Sequence, residues 1–176
     1  MYAGTFSIVA YDVATRTCGV ALSSKMPAIG AFSVFAHAGA GAVATQALIN
    51  PLLGADALEL LSSHSAEEAL HRVLKIDPAV DSRQVALVDT TGGAAAHTGP
   101  ETHPWSGHRV GDGYVVAGNI LTGADTLDAM AERFEAGAGE RLDERLLGAL
   151  EAGQAAGGDR RGKQSAALYV HTGRPY

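Results

Sequence analysis

The chain has 176 residues, 13 Lys and Arg against 19 Asp and Glu, a formal net charge of −6, and 47% hydrophobic residues. That balance suits one folded domain spanning 1–176 and speaks against nucleic acid, whose phosphates call for clustered basic side chains. No apolar stretch reaches the roughly 18 residues of a membrane helix, no basic-then-apolar leader opens the chain, and a lone cysteine, Cys18, excludes an internal disulfide or a multi-cysteine zinc site, so a cytoplasmic protein without a membrane partner is expected.

Two apolar-rich runs, 4–11 and 18–24, flank the polar connection "DVATRT" and predict a hairpin. Strand-like runs follow at about 30–37 and 40–45. From Thr45 the apolar spacing becomes helical, with Pro51 and Gly54 as breaks or kinks. "SHSAEEALHRVLKIDP" predicts a helix, opened by a Ser65/Glu68 capping box and stopped by Asp77-Pro78. "RQVALVDTTGGAAAHTG" reads as a hairpin turning at 91–93, and "HRVGDGYVVAGNIL" contains at least one strand ending near Asn119. Helices are expected at about 124–136 and 141–156, the second stopped by Gly157-Gly158, with "QSAALYVHT" as a closing strand. Grouped strands and grouped helices point to an α+β layered domain with antiparallel sheets rather than to βαβ units.

Four stretches carry chemistry. If the first two strands pair, Lys25 at the end of the second approaches Thr5 at the start of the first, where an ammonium lowers a hydroxyl or amine pKa or stabilises developing charge. A strand-edge lysine in solvent is the plainer reading. Thr45-Gln46, read as a strand-to-helix junction, offers backbone N–H groups to an anion or merely packs closely. The polar cluster around Gln154, Asp159, Arg160, Arg161, Gln164 and Ser165 places two arginines beside an aspartate, which is either a fork for a carboxylate or a solvated turn. The histidines match no standard ligand spacing, so no metal site is assigned and a hydrolase built on His37 or His97 is the least favoured reading. No Gly-x-Ser-x-Gly elbow supports a serine triad.

The segments "TFSIVAYD", "GVALSSK", "GAGAVATQALINP", "AAAHTG", "GYVVAGNIL" and "ALEAGQAAGGDRRGKQSAAL" resemble the domain of unknown function family 1028, over Thr5 to about Tyr169. That family is assigned to the N-terminal-nucleophile (Ntn) hydrolase superfamily. The resemblance implies a four-layer αββα sandwich of two antiparallel sheets, and a nucleophile that uses its own freed α-amine as general base, since an α-amine titrates near 7.7–8.0. It implies Thr5 as nucleophile, Asp12 and Lys25 as its catalytic companions, and Ser24, Thr45, Gln46, Asn119, Asp159 and Arg160 as substrate-binding candidates. Because four residues precede Thr5, the mechanism requires cleavage of Gly4–Thr5; many members also continue further than Tyr176. The resulting expectation is an amidohydrolase for a small amide, ureide or short peptide, without a cofactor and assembled as a homo-oligomer. The alternative is a non-catalytic small-molecule-binding protein that keeps the fold.

Overall fold

The computed structural model describes residues 2–173; Met1 and the chain end at Tyr176, which entered the expectations above, lie outside them. In chain order the strands are β1 (Tyr2–Ala3), β2 (Thr5–Asp12), β3 (Thr17–Ser24), β4 (Val34–His37), β5 (Gly41–Leu48), β6 (Arg83–Asp89), β7 (Ala94–Thr98), β8 (Gly107–Gly111), β9 (Tyr114–Asn119) and β10 (Ser165–Thr172). The helices are α1 (Gly30–Ser33), α2 (Pro51–Leu61), α3 (Ala66–Ile76), α4 (Asp125–Ala136) and α5 (Leu142–Ala155), with a 3-10 turn at Val80–Ser82. Among the described residues the strands form two antiparallel sheets, one ordered β1-β5-β6-β7 with β4 also on β5, the other β10-β3-β2-β9-β8.

Strand alternation sends successive side chains to opposite faces, and that alone builds the layers. Phe6, Ile8 and Ala10 of β2 pack under α4 and α5 with Leu127, Met130, Leu146 and Ala149. Val9 and Tyr11 turn the other way and meet Ala42, Ala44, Ala86 and Val88 of the opposite sheet. Val43, Val85 and Leu87 face α2 and α3 through Leu53, Ala57, Leu61, Ala69 and Val73. The order is therefore helices, sheet, sheet, helices. No helix of the described residues is long and apolar enough to cross a membrane.

Local signals explain the helix starts. Asn50 accepts from the Leu52 N–H ahead of Pro51, and Ser65 and Glu68 make the expected capping box. Three expectations change. The 30–37 run is a one-turn helix followed by the short β4, since only four residues, Val34–His37, pair with β5. The second helix starts at Pro51 rather than near Thr45, because β5 runs on through Leu48 with β6 on one side and β4 and then β1 on the other. Gly54 does not break α2; it makes room for the Phe35 ring, which a Cβ would overlap.

Asp89 ties α3 to the sheet. Its carboxylate accepts from the N–H groups of Ala66, Thr91 and Gly93 and from the Thr91 hydroxyl. Burial alone pushes this carboxyl's pKa up, but the four hydrogen bonds outweigh it and hold it below the ordinary value. Asp77, bonded to Arg83, Ala79 and Asn50, is lowered the same way. A depressed native pKa stabilises fully above the unfolded value of about 4 and is lost as pH falls through the native one. Chemical unfolding should therefore show stability falling steeply below about pH 4, and Asp89→Asn should flatten that acid limb.

Candidate functional site

The β2–β3 hairpin register places Thr5 opposite Ser24, and on its other side Thr5 pairs with Asn119 of β9. Ser24 in turn pairs with Ser165. Directly opposed residues share a face, so Ser165, Ser24, Thr5 and Asn119 form one polar row at the end of the sheet. Thr5 shares its face with Val9 and Tyr11, so the row looks into the space between the sheets. Thr5, Ser24 and Asn119 are wholly buried there.

Between Ala3 and Thr5 the chain changes sheets. Tyr2 and Ala3 pair with Leu48 and Ala47 of β5, whereas Thr5 opens β2 in the other sheet. Gly4 makes the crossing. Its carbonyl oxygen accepts two hydrogen bonds, from Ser24 Oγ at 2.5 Å and from Arg161 Nη2 at 3.1 Å. Arg161 is aimed by Asp159, through Nε to Oδ1 at 3.0 Å and Nη2 to Oδ2 at 2.7 Å, and this bond raises the guanidinium pKa. The buried Asp159 carboxylate also accepts from the Lys25 N–H at 3.3 Å. The loop that carries the pair is fastened across the end of β9, with the Arg160 N–H on Ile120 O and the Thr122 N–H on Gly158 O. Gly157 and Gly158 hold φ of +123° and +60°, conformations that suit glycine.

Across the gap, Gln84 links the two sheets. Its Nε2 donates to Thr98 Oγ1 at 2.9 Å and to the carbonyls of Gly107 and Gly118 at 3.0 and 2.9 Å. Carbonyls only accept, so they fix which end of the Gln84 amide is nitrogen. Its Oε1 therefore accepts, from Gln46 Nε2 and Asn119 Nδ2, both at 2.9 Å. That in turn fixes Gln46 and Asn119, whose oxygens Oε1 and Oδ1 are buried with no hydrogen-bond partner among the described residues. Buried acceptors of this kind call for water or a ligand that donates hydrogen bonds.

The structure thus gathers Thr5, Ser24, Gln46, Asn119 and Asp159 at one end of the sandwich and leaves four expected residues elsewhere. Asp12 closes the far end of β2, about 23 Å from Thr5 at roughly 3.3 Å per residue, where it accepts from the Ala14 and Thr15 N–H groups in the turn. Thr45 lies mid-strand on the face of Val43 and Val85, toward the helices, so the anion site expected at a helix start there does not form. Arg160 contributes its backbone N–H while its side chain is exposed; the adjacent Arg161 makes the contact instead. Lys25 follows Ser24 as expected, but its side chain is exposed and its backbone N–H makes the bond to Asp159. Gln84, Arg161 in its specific role, and the Gly4 carbonyl were not singled out by the sequence. Among the described residues no group of three or more His, Cys, Asp or Glu gathers to hold a metal ion.

The family described as "Family of unknown function (DUF1028)" matches residues 5–176. The chain belongs to this family. The DUF1028 match opens at Thr5, the residue just after the cradled carbonyl. A crystal structure of protein SPO2555 from Silicibacter pomeroyi, itself a DUF1028 protein, is similar at 34% identity with a TM-score of 0.89, over 98% of this chain and 75% of that one. None of the curated proteins matches the chain.

Proposed function

We propose that this DUF1028 protein is an Ntn-type amidohydrolase of αββα fold, matured by cleavage of Gly4–Thr5 and acting on a small amide, ureide or short peptide. One observation carries the reading: the carbonyl immediately before Thr5 is held by Ser24 Oγ and Arg161 Nη2. Two donors on a carbonyl are what an oxyanion needs when a hydroxyl adds to it. In self-cleavage the Thr5 Oγ bonds to the Gly4 carbonyl carbon, the C–N bond breaks, and the nitrogen leaves as the Thr5 α-amine. Water then splits the ester and restores the hydroxyl. The freed amine acts as general base in later turnovers.

In this reading Thr5 is the nucleophile and Ser24 and Arg161 stabilise the oxyanion, with Asp159 positioning Arg161. Gln46 and Asn119 offer their unpartnered oxygens to N–H groups of the substrate, and Lys25 serves through its backbone N–H, which helps hold Asp159. A cytoplasmic homo-oligomer belongs to the same proposal, with β10 as the edge that pairs: Ser165–Thr172 contains no proline, lysine or acidic residue to block an incoming strand.

Intact-protein mass tests it. Loss of the first four residues, abolished in Thr5→Ala together with amide turnover, is the expected result; full-length protein that still hydrolyses amides would overturn it. The second reading, a binding protein without catalysis, is favoured by the burial of Thr5. It expects an uncut chain whose melting temperature rises with amides or carboxylates as RT ln(1+[L]/Kd), without turnover.

A further inference from the structure

We infer that the acyl side of the substrate is an extended, peptide-like chain ending in a glycyl carbonyl, bound along the edge of β5 that Tyr2–Ala3 occupies. The inference rests on the amidohydrolase reading above and specifies its substrate class.

The segment before Thr5 makes two contacts that offer a template for an acyl group attacked by Thr5. Its backbone pairs antiparallel with β5, Tyr2 with Leu48 and Ala3 with Ala47. Its terminal carbonyl lies between Ser24 and Arg161. Once Gly4–Thr5 is cut and this fragment leaves, the outer edge of β5 at Ala47 and Leu48 regains unpaired backbone groups, which recruit an extended strand. β4 covers the other half of that edge, pairing from Gly41 to Ala44, so it bounds the vacated length. Ala47 is held at φ 65°, unusual for a non-glycine and of the kind found where a ligand docks.

The residue that carries the reacting carbonyl is restricted by space. A Cβ built on Gly4 would lie 2.9 Å from both Arg161 Cζ and Asp159 Oδ2, nearer than real Cβ atoms approach. Neither neighbour can yield cheaply. Arg161 is held to Asp159 by two side-chain bonds and by its own N–H at 2.9 Å, and Asp159 is buried and also bound to the Lys25 N–H. Gly4 is not in the left-handed region, so the demand is for room and not for backbone freedom. An L-residue larger than glycine displaces the donor pair that stabilises the oxyanion.

The chemistry balances as ordinary acyl transfer. Thr5 Oγ bonds to the glycyl carbonyl carbon, the amide C–N bond breaks, and the amine departs with the hydroxyl proton relayed by the Thr5 α-amine. Water cleaves the ester, giving a peptide acid that ends in glycine.

The test uses protein whose mass shows loss of residues 1–4. Tyr-Ala-Gly-p-nitroanilide should be hydrolysed with kcat/KM about 100-fold above Tyr-Ala-Ala-p-nitroanilide, and Gly-p-nitroanilide, which lacks the strand, should show a raised KM. The acid Tyr-Ala-Gly should bind in calorimetry and inhibit competitively, and Gly4→Ala should keep its full mass. Equal turnover of the glycyl and alanyl substrates overturns the inference. So does a cleaved protein that hydrolyses simple amides or ureides but neither binds nor cuts the glycyl peptides, an outcome that leaves the amidohydrolase reading standing. An uncut wild-type chain without amide turnover removes that reading itself, and the inference with it.

Discussion

Gln84→Leu should cost about 3–5 kcal/mol of unfolding free energy, a large share of the roughly 5–15 kcal/mol that holds a domain together. Leucine removes the acceptor of Gln46 Nε2 and Asn119 Nδ2 and the donor to Thr98, Gly107 and Gly118 in one step. Each stranded buried group keeps its desolvation penalty, about 1–3 kcal/mol, and some will relax toward water. Gln84→Glu should fare no better. It keeps an acceptor for Gln46 and Asn119 but aims a second oxygen at the Gly107 and Gly118 carbonyls. Urea denaturation followed by circular dichroism reads both variants. A leucine variant within about 1 kcal/mol of wild type would mean that the amide is not the tie between the sheets.

Asp77→Ala should cost about 3–5 kcal/mol, through the charge it leaves behind. The Arg83–Asp77 pair is close and largely dry, 3.0 Å apart with side chains 10% and 3% exposed. Arg83 also donates to the Leu48 carbonyl, at the end of β5 where β1 pairs. Removing the carboxylate leaves a buried guanidinium with the Leu48 carbonyl as its one acceptor among the described residues. Replacing both partners by apolar residues, Asp77→Leu with Arg83→Met, should recover most of the loss, because burying a matched pair is costly in the first place. If the double variant is as unstable as the single one, the damage comes from the lost bonds to Asn50 and Ala79 and not from the stranded charge.

The approach of Thr5 to the end of β3 was legible because two alternating runs with a short polar turn allow few registers, and the observed one opposes Thr5 to Ser24. The capping box at Ser65 and the glycine stop after α5 were legible as local chemistry. Asp12 misled because a family-level role was carried along a strand whose length puts its two ends far apart. Arg160 and Arg161 could not be told apart from sequence. Their roles depend on a loop turned by Gly157, Gly158 and Gly162, all at positive φ, and one step along such a loop swings a side chain from solvent to the Gly4 carbonyl. β1 is two residues long and has no periodicity to read; it exists only because β5 runs past the end of β4. Gln84 did leave a trace: a polar residue near the start of "RQVALVD", matched by Gln46 and Asn119 near the ends of their own apolar runs. Their convergence is a tertiary fact that no single segment displays.

The guanidinium that grips the Gly4 oxygen comes from a residue 157 positions later. On a ribosome adding about 5–20 residues per second, that delay is on the order of ten seconds. Throughout it, the first hairpin can exist while its partner loop does not. On the self-cleavage proposed above, scission at Gly4 relies on the Asp159–Arg161 clasp and would therefore wait for the far end of the polypeptide to dock, tying trimming to completed folding.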